Sequence, residues 1–492
     1  MLDTASIFNI QSTYKVSQTS IKESAIPIQD YMQKCETYLR DKLPKEFSDG
    51  TWNNERKKQE RDARIRDFIM QNLVRVEGFI TEQDEVNAEA LLHYVIDTFN
   101  GEGVLKNALE DPNIDEIQIR DYKTIFVFDR GVKRYCVDSK GNPVQFPDND
   151  AVDRFVQRLC DDGLGNIPQF NTGNPILNAK TAYKQYRINA VYSSLNARER
   201  GVHAEPITTV TLRKFPEHHL TLEDLVKSNT ITRKLARLLK LVGLVNLNVH
   251  FVGRTGSGKT TLLQAVVQSI PQNQGMILIQ NPTEITFFDR DDFGRNKRNV
   301  IHWESQDNVD SNNKNNGTTT NLLATVLRNT PDVLILGEAR YADEFAGLAT
   351  AGRMSIRLIS TYHAKNAVGA ISRGANMLGM YNHVPQNEMM VTWAEAANII
   401  VVQKKWEENG ERKIAELTEV LVDPNTQEIT YRPIVVFQED GVYVDEKGVS
   451  HIKGKYVMKN TISEVFVSGL RDALVPDEEY AEFLEIGDMY DE

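Results

Sequence analysis

The sequence predicts an α/β chain in which a domain of alternating strands and helices follows a smaller α+β domain and a helical N-terminal region. Three observations predict it. "FVGRTGSGKTTLL", at 251–263, lies between an apolar run and a helical pattern. Strand and helix patterns alternate from about 233 to 403. Residues 116–138 alternate apolar and polar side chains around a turn at Asp129, the period of a half-buried antiparallel sheet.

Taken in order, the first 20 or so residues read as a polar arm, and a helical pattern runs on to about Asn100. Its charge-dense part, "KKQERDARIRDFIMQNLVRVEGF", reads as a solvated helix face. After the alternating segment come a helix in "DNDAVDRFVQRLCDDGL" and strands in "QYRINAVYSS" and "ITTVTLRKF", which complete the α+β domain. Residues 216–232 read as a connection holding one short helix, with Thr221 as its cap and Asp224 three residues on. "MILIQ", "DVLILG" and "RLISTYH" are strand candidates beside "VNLNVHFVG". The Asn-rich stretch "DDFGRNKRNVIHWESQDNVDSNNKNNG" reads as a surface loop or hairpin, and further strands reach about Met458. The expected organisation is a helical extension over 1–94, an α+β domain over 95–215, a linker over 216–232, an α/β domain with C-terminal strands over 233–460, and an acidic, solvated tail over 461–492.

Bulk properties narrow the function. A net charge of −12 over 492 residues argues against a protein that wraps bare nucleic acid, which needs a basic surface. Cys35, Cys136 and Cys160 lack metal spacing and read as reduced structural thiols. No run approaches the roughly 20 apolar residues that span a bilayer, and the N-terminus lacks the pattern of a secretory signal. The expectation is a cytoplasmic protein that meets a membrane only through partners.

Gly253, Gly258, Lys259 and Thr260 fit G-x-x-x-x-G-K-[ST], the phosphate loop, with a strand before it and a helix after. Its glycines let backbone N–H groups wrap phosphates at a helix N-terminus, and Thr255, Gly256, Ser257 and Thr261 complete the expected nucleotide cradle. Lys259 would reach the β and γ phosphates of ATP, and the Thr260 hydroxyl would help hold Mg²⁺. Hydrolysis also needs a group to activate water. Glu338, where the strand of "DVLILGEAR" ends, would lie at the sheet edge at which α/β proteins bind ligands and could act as general base. "STYHAKN" brings Thr361 and His363 to the same edge.

The succession "GRTGSGKTTLL", "LIQNPTEI", "LLATVLRNTPDVLILGEAR" and "ATAGRMSIRLISTYHAKNA" resembles the type II/IV secretion ATPase superfamily, with its Walker A, Asp box, Walker B and His box in order. Within it the chain is most similar to the Tad/CpaF-type pilus ATPases, related to the VirB11 group; the likeness covers about residues 95 to 460. The resemblance implies a RecA-like motor domain, a homo-hexameric ring, and work for an inner-membrane platform in pilus assembly, secretion or conjugation. It implies Glu338 as catalytic carboxylate, Glu284 and His363 as Asp-box and His-box members, and Arg187 and Arg213 as basic residues that contact phosphates or complete the site. The pattern breaks in two places. Gln280 and Asn281 stand where the Asp box carries carboxylates, and Arg353 stands where the His-box run carries a histidine. Amides cannot hold a cation by charge, so a ring subunit that binds nucleotide with little or no hydrolysis is the alternative expectation. A DNA-translocating motor is disfavoured by the acidic charge, and no stable nucleic-acid binding is expected.

Overall fold

The computed structural model describes residues 103–490 together with Ala63, less short stretches of which 161–168, 196–206 and 306–316 are the longest. Ala63 apart, the helical extension expected over 1–94 lies outside the described residues. The chain divides into two compact units, Met1–Pro216 and Glu217–Glu492.

The first unit holds helix α1 (Lys106–Glu110), strands β1 (Ile114–Ile119), β2 (Ile125–Asp129) and β3 (Val132–Tyr135), helix α2 (Asn149–Leu159), and strands β4 (Ile176–Lys180), β5 (Arg187–Val191) and β6 (Thr209–Arg213). The strands form one antiparallel sheet in the order β3-β2-β1-β6-β5-β4. The alternation in the sequence is the cause. Ile117, Val127, Ile188, Val210 and Leu212 are buried in one core with Val152, Phe155 and Val156 of α2, while the residues between them take the other face. Cys136 and Cys160 are free and buried in that core, which pushes their thiols up to about 11 and about 12.

The second unit opens with α3 (Leu222–Lys227) and α4 (Arg233–Leu244). Thr221 and Asp224 form the expected capping box on α3. Leu225 and Ile231 are buried in this unit's core, so the stretch expected as a linker is packed into the second unit. There follow β7 (Val249–Gly253), α5 (Lys259–Val267), β8 (Met276–Gln280), β9 (Val300–Glu304), α6 (Thr319–Val326), β10 (Val333–Leu336), α7 (Ala342–Arg353), β11 (Arg357–Tyr362), α8 (Ala367–Asn382), α9 (Gln386–Glu395) and β12 (Ile399–Lys405). Strands β13 (Arg412–Val422), β14 (Ile429–Val444) and β15 (Ser450–Met458) and helix α10 (Glu464–Asp472) complete it.

Its sheet runs β15-β14-β13-β12-β7-β11-β10-β8-β9; pairing is parallel from β12 to β9 and antiparallel from β12 to β15. Helices cover both faces, so the central strands are apolar on both sides. Val249 and Phe251 of β7 belong to the core with α4 and α5, and Val252 to the core with α7 and α8. The Asn-rich stretch expected as a surface loop or hairpin contains β9, a parallel edge strand, because Val300 and its neighbours pair with Met276–Gln280. Among the described residues no helix is long and apolar enough to cross a membrane.

The C-terminal segment corrects the expected solvated tail. Phe466 and Leu470 of α10, with Tyr480, Phe483 and Met489, are buried in the core beside α4. Its acidic charge also has a partner. The α4 residues Arg237 and Lys240 pair with Glu482 at 2.7 Å and Glu479 at 3.1 Å. An acidic count hid the aromatic residues spaced between the charges. Phe483→Ala is therefore expected to lower the thermal midpoint of the full chain by the equivalent of about 3–5 kcal/mol, the range for truncating a buried Phe; a solvated tail would leave it unchanged.

Candidate active site

The phosphate loop joins the central strand β7 to α5. Gly253 (φ 156°) and Gly258 (φ 92°) hold its two ends in conformations that disfavour a side chain. A Cβ at Gly253 would lie 2.3 Å from the Gln403 carbonyl on β12, so the close pairing of β7 with β12 also demands glycine. No side chain caps α5 at Gly258, which leaves the first N–H groups of the helix facing the loop, the arrangement that receives an anion. Thr255 and Gly256 are exposed, Ser257 is buried, and Thr260 and Thr261 are half-buried in the first turn of α5.

Lys259 is only 7% exposed, and its ammonium donates to the Arg254 carbonyl at 3.1 Å. It also lies 3.3 Å from Nδ1 of His363. Nε2 of His363 is 3.0 Å from Glu338, whose other carboxylate oxygen takes Arg340 Nε at 2.7 Å. Lys259, His363, Glu338 and Arg340 thus form one chain of contacts at the C-terminal ends of β7, β10 and β11. Hydrogen-bonding chemistry assigns the histidine. The carboxylate only accepts, so Nε2 donates to it; the ammonium only donates, so in its contact with Lys259 Nδ1 accepts. The Gly253 carbonyl, 3.1 Å from the same Nδ1, can be served only by a doubly protonated ring, so the two contacts at Nδ1 exclude one another.

Burial raises the Glu338 carboxyl, but the His363 hydrogen bond and the Arg340 charge and hydrogen bond outweigh it and hold the group down to about 2. Glu338 is thus a carboxylate fixed in place at neutral pH. Thr361 donates to the Gly337 carbonyl at 2.6 Å and its own carbonyl accepts from Ala339 N–H, which sets the turn that presents Glu338.

The altered Asp box has a structural explanation. Gln280 is buried; its Nε2 donates to the Ile285 carbonyl at 2.6 Å and its Oε1 accepts from the N–H groups of Glu284 and Ile285 at 3.0 and 2.8 Å. Only an amide offers both a donor and an acceptor here, and a carboxylate would face the Ile285 carbonyl with no hydrogen. The Glu284 backbone is held by Gln280, while its carboxylate forms no ion pair or hydrogen bond with a described residue, so it does not join the Glu338 chain. Arg353 reaches Thr392 at 3.2 Å on α9, away from that chain. Arg187 and Arg213 are direct cross-strand partners on β5 and β6, on the sheet face opposite Ile188 and Leu212. They belong to the first unit.

Sequence reasoning missed three residues. Arg340, within "GEAR", has no sequence signal that assigns it a part; Gln403 and Arg412 stand beside the phosphate loop from β12 and β13. The Arg412 Nε donates to the Gly256 carbonyl at 3.3 Å. The available signal was Gln403 itself, a polar residue closing the apolar run "IIVV".

Two outcomes follow. Gln280→Glu removes the donor to Ile285 and is expected to cost about 1–3 kcal/mol, seen as a lower thermal midpoint. Glu338 has a depressed pKa, so its stabilising contribution is complete above its ordinary value of 4.5 and is lost as pH falls toward about 2. The stability advantage of the wild type over Glu338→Gln should therefore shrink between about pH 5 and about pH 2, as followed by thermal midpoints.

Comparison with known proteins places the chain in a family. Residues 132–472 match the family model for the type II/IV secretion system protein, which is more than half of the chain. The chain is 31% identical over 198 residues to the competence protein ComGA of Bacillus subtilis, covering 37% of this chain and 50% of that protein. It is 25% identical over 195 residues to the probable conjugal transfer protein TrbB of Sinorhizobium fredii, covering 39% and 54%. It spans about half the length of these curated relatives. Among solved structures, the VirB11 ATPase of the Brucella suis type IV secretion system, crystallised with sulphate, covers 70% of this chain and 98% of its own at 21% identity and a TM-score of 0.32. With its match over 132–472, which reaches into both units, the chain belongs to the family of type II/IV secretion system proteins.

Proposed function

We propose that this protein binds Mg²⁺-ATP at the phosphate loop and hydrolyses it, as the motor of a pilus, secretion or conjugation machine. The observation that carries the reading is the unbroken chain from Lys259 through His363 to Glu338 at the mouth of the loop. The residues fit the nucleotide. The uncapped N-terminus of α5 and the Lys259 ammonium suit polyphosphate, and the Thr260 hydroxyl on the first turn suits a hard cation. Mg²⁺, when bound, neutralises charge on the β and γ phosphates.

The chain's own residues do the rest. Lys259 leaves the Arg254 carbonyl and His363 for the phosphates, and Nδ1, on taking a proton from solvent, donates to the Gly253 carbonyl. His363 then holds Glu338 by Nε2 alone, and Glu338 orients the attacking water and accepts its proton. Its pKa of about 2 makes it a weak base while Arg340 and His363 both hold it, so loosening of those contacts would raise its basicity.

In this reading Arg187 and Arg213 supply permanent positive charge to phosphates, and the working assembly is a homo-hexamer. Hydrolysis drives rigid-body movement of the two units, transmitted at the cytoplasmic face of the membrane to a platform protein. Glu284 stands at the third position of the Asp box.

Phosphate release by the purified full chain with Mg²⁺-ATP tests the reading. Glu338→Gln is expected to lower turnover at least 100-fold while nucleotide still binds. Nucleotide binding without turnover in the wild type would replace the motor with a ring subunit that binds nucleotide and does not hydrolyse it.

A further inference from the structure

The phosphate loop is clasped from one side by β12. Gln403 is the Cα partner of Gly253 in the parallel pairing of these strands, and its side chain extends toward the loop's other end, where its Nε2 lies 3.2 Å from the position a Gly258 Cβ would take. Gln403 is only 4% exposed and Ser257 is fully buried. Neither the Gln403 Oε1 nor the Ser257 Oγ has a hydrogen-bond partner in the structure. Buried polar atoms are nearly always paired, because leaving one unpaired costs about 1–3 kcal/mol. Both residues border the loop: the Ser257 Oγ lies 2.7 Å from the position a Gly253 Cβ would take, beside the Gln403 carbonyl, and the Gln403 carboxamide reaches Gly258. The two unpaired atoms are complementary: an amide oxygen accepts and a hydroxyl donates.

We infer that Gln403 is a positioning residue of the phosphate loop: its carboxamide oxygen takes the Ser257 hydroxyl when the loop tightens on a polyphosphate. In this role the Gln403 Oε1 acts through the loop, since an acceptor offers nothing to a phosphate oxygen directly. Lying on β12, it ties the loop to the strand that begins the antiparallel extension β12–β15, and Arg412 of β13 holds the Gly256 carbonyl from the same side. Nucleotide binding is thereby felt by β12 and β13.

The inference rests on the nucleotide-binding reading of the loop and is tested by Gln403→Met, which keeps the side chain's size and removes its polar atoms. Thermal midpoints without nucleotide and Mg²⁺-ADP affinity by calorimetry are measured on the full chain. Because Oε1 has no partner to lose, the variant is expected to melt within about 1 °C of the wild type or above it, while binding Mg²⁺-ADP about tenfold more weakly, equivalent to about 1.4 kcal/mol. Ser257→Ala should weaken binding similarly, and the double variant no further, since both remove the same bond. A lower midpoint with unchanged affinity, or additive losses in the double variant, overturns the inference and leaves the nucleotide site standing. Wild-type protein that binds no Mg²⁺-ADP overturns the nucleotide reading itself and the inference with it.

Discussion

The parallel pairing of β7 between β11 and β12 is the constraint on which the site depends. Every residue of β7 is buried, and its hydrogen bonds run to both neighbours. Parallel strands end on the same side of a sheet. Gly253, Leu336 and Tyr362 therefore close their strands along one edge, level with Gln403 of β12, and Glu338 and His363, one or two residues further on, meet the phosphate loop there. The tightness of the pairing reaches into the loop as well, since the approach of the Gln403 carbonyl leaves no room for a side chain at 253.

The opposite end of β11 is held just as firmly. Arg357 is buried, and its guanidinium donates to the carbonyls of Val242, Gly243 and Leu247 at 2.8–3.2 Å, at and beyond the C-terminal end of α4. Burial pulls its pKa down to about 9, which still leaves it charged at neutral pH. A helix end leaves carbonyls unpaired and carries partial negative charge, so a buried cation with several donors satisfies both needs. Beneath the edge, His250 bonds to the Ser360 hydroxyl and the Ala396 carbonyl, and burial holds it down to about 4, a neutral core histidine among Tyr362 and Trp393. The two histidines differ by context: His250 fills a core, and His363 joins an ammonium to a carboxylate.

The departures from the family pattern change meaning once Gln280 is seen. As text, "QNPTE" suggested a weakened hold on a cation. In the structure the Gln280 amide closes its own loop with three hydrogen bonds, a task for which a carboxylate lacks the hydrogen. The acidic C-terminus shows the same effect of context on charge. Its carboxylates answer the basic face of α4, and its aromatic residues are part of the core.

By itself the sequence determined the elements whose signals are local. The phosphate loop, the strands "MILIQ", "DVLILG" and "RLISTYH", the capping box at Thr221 and the antiparallel alternation of β1 and β2 all arise from periodicity or from residue types that act within a few positions. The placing of Glu338 and His363 at one sheet edge was legible too, because strand order in such folds follows from connectivity. What only the tertiary structure decided depends on contacts distant in sequence. The pairing of β9 with β8 competes with no local signal, the burial of Phe483 depends on a helix more than two hundred residues earlier, and the link from Lys259 through His363 to Glu338 and Arg340 joins three separate strand ends. Periodicity reports which face of an element is apolar; which partner covers that face is settled only when the chain packs.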